Sequence, residues 1–246
     1  MSSLAILVTS GLFFAGCNKN DNDDDQNMPV AGLMAFNLAV DKPAVGFALS
    51  GSNLTNAPLE YTNYTGAYLQ IYPGSREVES YDFNASGATI ATETGNFEAQ
   101  KYYSVFVVGS DSTYKNIIVN DDVDTLSSGS GQAFVRYVNA IPDSSAPNVK
   151  ITAGGSDIIN SPAPFTTVSQ FMPTTPGDVT INISNSGDIN ANRTISVEAD
   201  KIYTILLVGK PGATTNGVEI KFISNGTLQE DASRKTTTTS RAATIN

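Results

Sequence analysis

The 246-residue sequence contains no histidine and no tryptophan, and it contains a single cysteine. Histidine is the commonest metal ligand and the usual general base near neutral pH, so its absence argues against metal-dependent and histidine-dependent catalysis. Without tryptophan, the chain lacks the largest aromatic platform for stacking on a sugar ring. One cysteine cannot form an intramolecular disulfide, so each folded unit must be stabilised by its own core. We therefore predict no enzyme activity, no metal site and no cofactor.

Basic residues are also scarce, with 14 Lys and Arg against 24 Asp and Glu, and the net charge is -10 at pH 7. Nucleic-acid binding requires clustered Lys and Arg, so we predict that the protein does not bind nucleic acid. Hydrophobic residues make up 40% of the chain and charged residues only 15%, which is typical of a globular protein. The 20 Gly and 11 Pro, among many Thr, Ser and Asn, indicate short strands separated by turns.

The N-terminus carries an apolar run, Leu4–Ala15 (LAILVTSGLFFA), that is too short for a membrane-spanning helix but suits the central region of a signal peptide. It leads into Phe14-Ala15-Gly16-Cys17, which resembles the bacterial lipobox, in which the cysteine is acylated and becomes the mature N-terminus. The alternative is a buried thiol in an ordinary helix, but the chain turns abruptly polar after Cys17. We predict a signal peptide over 1–16 and lipidation at Cys17, with several acyl chains anchoring the protein in the membrane.

The segment 17–29 after this cysteine is rich in acidic residues. It resembles the export signal by which Bacteroidetes lipoproteins reach the outer face of the outer membrane; the alternative is a solvated, self-repelling spacer. A calcium loop is disfavoured because the segment lacks the Gly and the distal Glu of an EF-hand. We predict a lipid anchor in the outer membrane and display on the cell surface, with the periplasmic face left open. The charged residues of the export signal would be Lys19, Asp21, Asp23, Asp24 and Asp25.

The rest of the chain contains an internal repeat. Glu98–Gly109 (EAQKYYSVFVVG) and Glu198–Gly209 (EADKIYTILLVG) are identical at six of twelve positions. Because further matches occur upstream in the same order in both copies, the pattern indicates a duplication. These matches pair Asn37 with Asn139, Asp41 with Asp143, Tyr61-Thr62 with Phe165-Thr166, and Pro73-Gly74 with Pro176-Gly177.

The repeat divides the chain into a first domain over 30–122, a Gly/Ser-rich linker over 123–131 and a second domain over 132–228. Ser130 lies between two glycines in the linker, but a nucleophile elbow needs Gly-x-Ser-x-Gly and a base to activate the serine. A connector of this composition predicts independent movement of the two domains. Residues 229–246 lack a hydrophobic period and are predicted to form a disordered tail.

Within each copy the hydrophobic pattern is that of strands. Val179–Ser184 and Thr194–Glu198 alternate apolar and polar residues, which predicts strands with one buried face. Tyr103–Val108 and Tyr203–Val208 are continuous apolar runs, which predicts strands central to a sandwich. About seven short strands per copy and frequent turn signals predict an all-β protein with two tandem immunoglobulin-like β-sandwich domains.

The second copy contains Val135–Asp143, Pro147–Val149, Phe165, Pro176-Gly177, Val197–Thr204 and Val208-Gly209, and the first copy contains Asn37–Asp41 at the equivalent turn. These segments resemble a bacterial envelope family, domain of unknown function 4397. Members of that family begin with a strand that leads into a His-Ala-Ser-Pro-Asp-like turn, and they end with an Ala-Gly-Lys-x-Tyr-Thr-like strand. The first copy is a more diverged match. Asn37 and Asn139 stand where the family often has His, so no role of that His transfers here. The resemblance implies a β-sandwich, export and frequent lipid anchoring, but no activity.

Most of these motif residues have structural explanations. Pro142 and Asp143 suit a turn in which the Asp side chain caps backbone donors. Tyr103 and Tyr203 begin buried strands where a phenol can pack and still form a hydrogen bond at one end. Tyr64, Tyr68 and Tyr72 could form an aromatic binding strip, since Tyr68 and Tyr72 would share one face of a strand. Packing within the sandwich is the favoured interpretation.

Two functions remain open. The leading hypothesis is a non-enzymatic cell-envelope module that binds a surface glycan, a peptide or another protein through loops at one end of a sandwich. The alternative is a structural or adhesin-type subunit, because sandwiches with exposed edges can assemble by strand addition. A hydrolase that uses two carboxylates is disfavoured because the acidic residues follow no recognisable motif. The sequence does not define an oligomeric state.

Overall fold

The structure is a computed structural model that describes residues 29–127 and 129–228. The predicted lipidation site Cys17 and the predicted tail 229–246 lie outside the described residues. The same holds for the predicted export signal, Lys19, Asp21, Asp23, Asp24 and Asp25.

Eight strands form domain 1. They are β1 (Ala31–Ala39), β2 (Val45–Leu49), β3 (Ser52–Asn53), β4 (Leu69–Ile71), β5 (Gly74–Asp82), β6 (Ala88–Phe97), β7 (Tyr102–Ser110) and β8 (Thr113–Asn120). Eight more form domain 2. They are β9 (Ala133–Asn139), β10 (Asn148–Ala153), β11 (Ser156–Pro162), β12 (Met172–Thr174), β13 (Gly177–Ser184), β14 (Asn190–Val197), β15 (Lys201–Val208) and β16 (Glu219–Thr227).

Each domain is a sandwich of two four-stranded sheets. The strand orders are β3-β2-β5-β6 and β4-β1-β7-β8 in domain 1, and β11-β10-β13-β14 and β12-β9-β15-β16 in domain 2. Every strand of domain 1 thus has a counterpart in the same place of domain 2. In both domains the first strand pairs in parallel with the seventh. The predicted fold class, two tandem immunoglobulin-like β-sandwiches, is confirmed, with eight strands per domain rather than about seven.

The predicted alternation gives each sandwich its core. In β13, Val179, Ile181 and Ile183 are fully buried and meet residues of the first, second and seventh strands of the domain. In domain 1 the equivalent core includes Phe47, Phe97 and the alternate residues of β1 and β7. Burial of these side chains stabilises each domain without a disulfide, at roughly 25 cal/mol per Å² of apolar surface.

A third apolar cluster lies between the domains. The sheets β4-β1-β7-β8 and β12-β9-β15-β16, called the inner sheets below, pack against each other through their second faces. In β1, for example, Leu33 belongs to the core of the sandwich, whereas Met34 and Phe36 belong to this interdomain cluster. Val138 and Leu206 of domain 2 are fully buried on the other side.

The interdomain cluster corrects the prediction that the two domains move independently. Residues that are completely buried between two sheets would be exposed to water if the domains separated, and that exposure is unfavourable. The segment that joins the domains is also ordered in part, since Val123–Thr125 forms a 3-10 helix. Among the described residues, no helix is long and apolar enough to span a membrane.

Candidate binding face and the interdomain cluster

Both ends of the described chain lie at the same end of the two-domain body, called the proximal end. Next to β1, the carbonyl oxygen of Val30 accepts a hydrogen bond from the Gln100 amide in the turn between β6 and β7. After β16, the Leu228 amide donates to the carbonyl oxygen of Asp200, in the equivalent turn of domain 2. The strand directions then place the loops that follow the first, third, fifth and seventh strands of each domain at the opposite, distal end.

Six of these eight loops are together called the distal face below. They connect β1 to β2, β5 to β6, and β7 to β8 in domain 1, and β9 to β10, β13 to β14, and β15 to β16 in domain 2. Two contacts join the loops across the domain boundary. Lys210 Nζ lies 2.6 Å from Asp111 Oδ2, and the Asn216 side-chain amide donates to the carbonyl oxygen of Val40 at 3.1 Å. The six loops therefore form one continuous surface.

An exposed aromatic pair stands on this face. Phe83 follows the last residue of β5 with 39% of its surface exposed, and its ring stacks on that of Tyr81 at 6.0 Å between centroids. Tyr81 lies directly over the backbone of Gly46, where an added Cβ atom would be 2.2 Å from Tyr81 Cζ. The glycine is therefore needed for the position of the tyrosine ring.

Asp82 fixes the loop that carries Phe83. Its Oδ1 accepts hydrogen bonds from the backbone amides of Asn84 and Ala85, and its Oδ2 pairs with Lys42 Nζ at 3.1 Å. Partial burial raises the pKa of Asp82, but the bonds from Lys42 and the two amides outweigh this and leave the pKa below its usual value. The carboxylate therefore stays ionised well below neutral pH and holds the loop.

Domain 2 lacks this aromatic pair. Asn185 takes the place of Asp82, with its Oδ1 accepting from the amides of Gly187 and Ile189. The next residue is Ser186 rather than an aromatic residue. The turn is thus shared by both copies, whereas the exposed aromatic group belongs to domain 1 alone, so turn geometry does not explain it.

A buried polar cluster fixes the two domains in one orientation. Arg136 of β9 is only 2% exposed, and its Nη1 lies 2.6 Å from Asp121 Oδ1 of domain 1. The other nitrogens of the guanidinium donate to Ser104 Oγ at 2.9 Å and to Thr204 Oγ1 at 3.0 Å. The group also lies 4.3 Å from the ring centroid of Phe171. Because the guanidinium pairs with a carboxylate of domain 1 and donates hydrogen bonds to hydroxyl groups of both domains, the cluster is satisfied in only one relative orientation of the two domains.

The polar cluster arises from equivalent positions of the two copies. Met34 pairs with Ser104 across β1 and β7, and Arg136 pairs with Thr204 across β9 and β15. Asp121 follows β8 where Asn225 lies in β16, and each accepts a hydrogen bond from the hydroxyl group of its own domain. The Asn225 amide in turn faces Met34 Sδ at 3.9 Å. The duplicated positions have therefore diverged into a charged half and a neutral half.

The comparisons with known proteins agree with this duplicated architecture. The family model described as "Domain of unknown function (DUF4397)" matches residues 31–146 and again residues 133–239. The chain belongs to this family. Each match covers one domain, and the first extends through the linker and β9.

No protein with a curated description matches this DUF4397 chain. Among solved structures, it is similar to the tip fimbrial protein Mfa3 from Porphyromonas gingivalis with C-terminal truncation. The two sequences are 9% identical, the alignment covers 80% of this chain and 99% of that chain, and the TM-score is 0.27. Similarity at this level supports no functional statement.

The asparagines at the family's histidine position are structural in this DUF4397 chain. Asn37 is completely buried, and its amide donates to the carbonyl oxygens of Lys42 and Leu59. Asn139 likewise donates to the carbonyl oxygen of Ala163, and its Oδ1 accepts from the Ile141 amide. Both side chains fasten the loop after the first strand to the body of the domain.

The predicted structural roles of the other motif residues are confirmed in part. The hydroxyl groups of Tyr103 and Tyr203 accept hydrogen bonds from the backbone amides of Glu98 and Glu198, as in the tyrosine corner of immunoglobulin-like folds. Asp143 Oδ1 accepts from the Ser145 amide at 2.7 Å, which is the predicted turn cap.

The three tyrosines of the considered aromatic strip do not form a strip. Tyr64 stacks on Phe36, and Tyr68 packs edge-on against Tyr102, so both belong to the packing between the domains. Tyr72 instead is 56% exposed near the proximal end. The first two residues are packed, as favoured, but between the domains rather than within one sandwich, and Tyr72 is not packed.

The sequence reasoning did not identify Arg136, Asp121 or Phe83. One signal for Arg136 was present, since β9 (AFVRYVN) places a single charged residue inside an otherwise apolar strand. A charge at that place must be paired if both faces of the strand are buried. Across residues 29–127 and 129–228, no three side chains of the metal-binding types cluster together.

Two tyrosines of the interdomain cluster should respond oppositely to loss of the hydroxyl group. Among the described residues no atom forms a hydrogen bond with the buried Tyr61 hydroxyl, and burial raises the pKa of Tyr61 to about 12. The Tyr68 hydroxyl donates to Asp121 Oδ2 at 2.5 Å. We expect Tyr61→Phe to leave stability unchanged or to raise it by about 1 kcal/mol, and Tyr68→Phe to lower it by about 1.5 to 3 kcal/mol.

Urea unfolding followed by circular dichroism measures both changes, and each variant serves as the control for the other because the two deletions are chemically identical. Equal losses of stability would contradict the assignment of these hydroxyl groups. Burial and the Asp121 carboxylate raise the pKa of Tyr68 well above its usual value, so its hydroxyl remains a donor throughout the accessible pH range.

Proposed function

We propose that this protein is a non-enzymatic cell-envelope module that presents its distal face to a glycan or protein outside the cell. The observation that carries the proposal is the arrangement of the ends. The chain leaves domain 1 toward its N-terminus at the proximal end, and the loops of both domains meet at the other end. An anchor at Cys17 would therefore hold the protein with its distal face directed away from the membrane.

The location that fits this arrangement is the outer membrane, with the protein held by its lipid and displayed on the cell surface. The proposed lipid at Cys17 and the acidic segment behind it support this location, and the periplasmic face of the same membrane is the alternative. The 11 residues from Asn18 to Met28 can span at most about 40 Å, so the domains would stay near the membrane.

The absence of catalytic activity is also part of the proposal. Two acidic groups on the distal face support it because they have structural partners: Asp41 accepts hydrogen bonds from the Asp111 amide and the Tyr114 hydroxyl, both at 2.9 Å. Asp111 is itself bonded to Lys210, which lowers the pKa of its carboxyl group. Turnover of a substrate by purified protein, lost on mutation of one acidic pair, would overturn this part.

The binding function is tested at Phe83, the exposed aromatic residue of the distal face. We expect Phe83→Ala to weaken binding about tenfold or more, because exposed aromatic side chains commonly contribute most of the energy of a binding surface. The mature chain carrying Cys17→Ala, purified in soluble form, would be measured against arrays of bacterial and host glycans and against immobilised extracellular matrix proteins.

Tyr72→Ala is the matched control, because it removes an exposed aromatic ring from the proximal end of the same domain. It should change binding by less than about twofold. Absence of binding to every probe, or equal effects of the two substitutions, would overturn the proposal. In cells, Cys17→Ala should abolish labelling by a palmitate analogue, and protease should remove the wild-type protein from intact cells.

A structural subunit is the second candidate, and the terminal strands of the outer sheets favour it. β6, with ten residues, and β14, with eight, are terminal strands of the outer sheets, the two sheets that do not meet the other domain. Terminal strands of this length can pair with a strand of another molecule. Concentration-dependent filaments in electron micrographs would favour this function, and a monodisperse monomer at high concentration would count against it.

A further inference from the structure

An open groove of about 420 Å³ runs between β6 and β8, the terminal strands on one side of domain 1. Glu93 and Gly95 line it from β6, Lys115 and Ile118 line it from β8, and Thr166 of domain 2 contributes as well. The groove lies along the side of the sandwich rather than at the distal face. It is therefore separate from the surface considered above.

The equivalent place in domain 2 is covered by an arginine. Arg193 of β14 reaches across to β16, where its Nη1 donates to the carbonyl oxygen of Ile220 at 2.8 Å. Its guanidinium also lies 5.0 Å from the ring centroid of Phe222. One arginine side chain thus bridges the two terminal strands and satisfies an outward-facing backbone acceptor.

Strand register identifies the corresponding residues of domain 1. Arg193 pairs with Ile181 as Glu93 pairs with Val78, so Glu93 occupies the position of Arg193. In domain 2, Phe222 pairs with Ile205 and Ile220 pairs with Leu207. At the same places in domain 1, Ile118 pairs with Val105 and Asn116 pairs with Val107. Ile118 therefore corresponds to Phe222, and Asn116 corresponds to Ile220. Domain 1 therefore has the Asn116 carbonyl oxygen at its edge, where domain 2 has that of Ile220. The carboxylate of Glu93, however, lies at the position of the Arg193 guanidinium.

Glycine at position 95 contributes to the shape of the groove. Domain 2 has Ile195 at this position, 4% exposed, whereas a Cβ atom on Gly95 would lie 2.8 Å from the ring of Phe97 and 3.1 Å from Ile118. The ring of Phe97 therefore occupies the space that a side chain at position 95 would need. It packs edge-on against the ring of Tyr103, with 4.9 Å between the ring centroids. The groove thus has a firm apolar floor.

We infer that this groove binds an extended peptide segment of a partner protein, and that an arginine of the segment occupies the place that Arg193 fills in domain 2. The arginine would donate to the Asn116 carbonyl oxygen and pair with the Glu93 carboxylate. The peptide backbone would lie beside the free edge of β6, which offers ladder donors and acceptors. Lys115 on the opposite wall supplies a donor for a carbonyl group of the peptide.

The charge of the whole chain agrees with a basic ligand, since the net charge of -10 attracts cationic segments from solution. That attraction is not specific to the groove, however, so the test must separate it from local recognition. The distinguishing feature is geometric: a carboxylate at position 93 and a free carbonyl group across from it.

The probe is a fluorescent octapeptide with the sequence of β14, NANRTISV, which contains one arginine and is extended in this protein. Fluorescence anisotropy with the full mature chain should show saturable binding below about 1 mM. We expect the same peptide with glutamine in place of its arginine to bind at least about tenfold more weakly, because it lacks the guanidinium.

Glu93→Arg is the decisive variant, because it reproduces the arrangement of domain 2 and fills the groove from within. It should weaken binding of the arginine peptide at least about tenfold, whereas Glu77→Arg, the same charge change on an exposed residue of β5 outside the groove, should change it less than about threefold. Phe83→Ala should leave this binding unchanged, which separates it from the distal face.

Three results would overturn the inference. They are absence of saturable binding of the arginine peptide, equal binding of the glutamine peptide, and equal losses in Glu93→Arg and Glu77→Arg, which would show attraction by net charge alone. Thermal unfolding measures whether each variant is folded. Because Glu93 is exposed, its replacement should not change the melting temperature appreciably.

Discussion

Replacing Arg136 with alanine is expected to lower the free energy of unfolding by about 3 to 5 kcal/mol. The Asp121 carboxylate is fully buried and would stay so, with only the hydroxyl groups of Tyr68 and Ser104 as side-chain donors. A buried charge that has lost its partner is far less favourable than a paired one. Urea unfolding followed by circular dichroism measures the loss, since the chain has no tryptophan for fluorescence.

The control is the double substitution Arg136→Met and Asp121→Asn, which gives each domain the residue that its counterpart already carries at that position. We expect it to regain most of the lost stability, because no unpaired charge remains. Lys101→Ala, which breaks the exposed pair with Asp124, should lower stability far less, because solvent screens an exposed ion pair. A loss in Arg136→Ala no larger than that of Lys101→Ala would contradict the role of the buried cluster.

The asymmetry of this pair favours contact between unlike domains. Two copies of domain 1 placed face to face would bring Asp121 toward Met34, and two copies of domain 2 would bring Arg136 toward Asn225, so neither arrangement pairs the charges. Repulsion or desolvation of unpaired charges is a common means of specificity between similar surfaces. The divergence of the two copies thus explains why the inner sheets meet within one chain.

The sequence predicted the fold to the extent that local patterns determine it. The 100-residue repeat, the alternation in β13 and the turn residues all reflect interactions within one domain, and the structure places each as predicted. The tyrosines that begin β7 and β15 were also assigned correctly, because burial of the ring with one hydrogen bond is a local property of that motif.

The contact between the domains could not be predicted in the same way. A continuous apolar run such as β7 (YYSVFVVGS) indicates burial on both faces, but it does not say what covers the second face. The pattern predicts the centre of one sandwich for that run, whereas its second face is covered by the other domain. The Gly/Ser linker pointed to independent domains because its composition carries no information about the surfaces that it connects.

The candidate binding residues were missed for a different reason. Phe83 lies in a loop of ordinary composition, and only the comparison of the two folded copies shows that an aromatic residue replaces Ser186 there. Glu93 and Arg193 likewise gain meaning only when strand register shows that they are equivalent. The duplicated fold allows equivalent positions of the two domains to be compared. We interpret features that both domains share as structural, and features that differ between them as candidates for function.

Gly209→Ala is expected to lower the free energy of unfolding by about 4 kcal/mol and to disturb the distal face. Gly209 has a φ of 101°, and a Cβ atom there would lie 2.1 Å from the carbonyl oxygen of Gly217, a backbone atom that cannot turn away. The loop it begins carries Lys210, which contacts domain 1 through Asp111. Gly155→Ala is the control, with a φ of 81° but open space, and should cost about 1 to 2 kcal/mol in the same urea titration. Equal losses in the two variants would mean that backbone strain alone, and not the close approach of the loop, requires the repeated glycine.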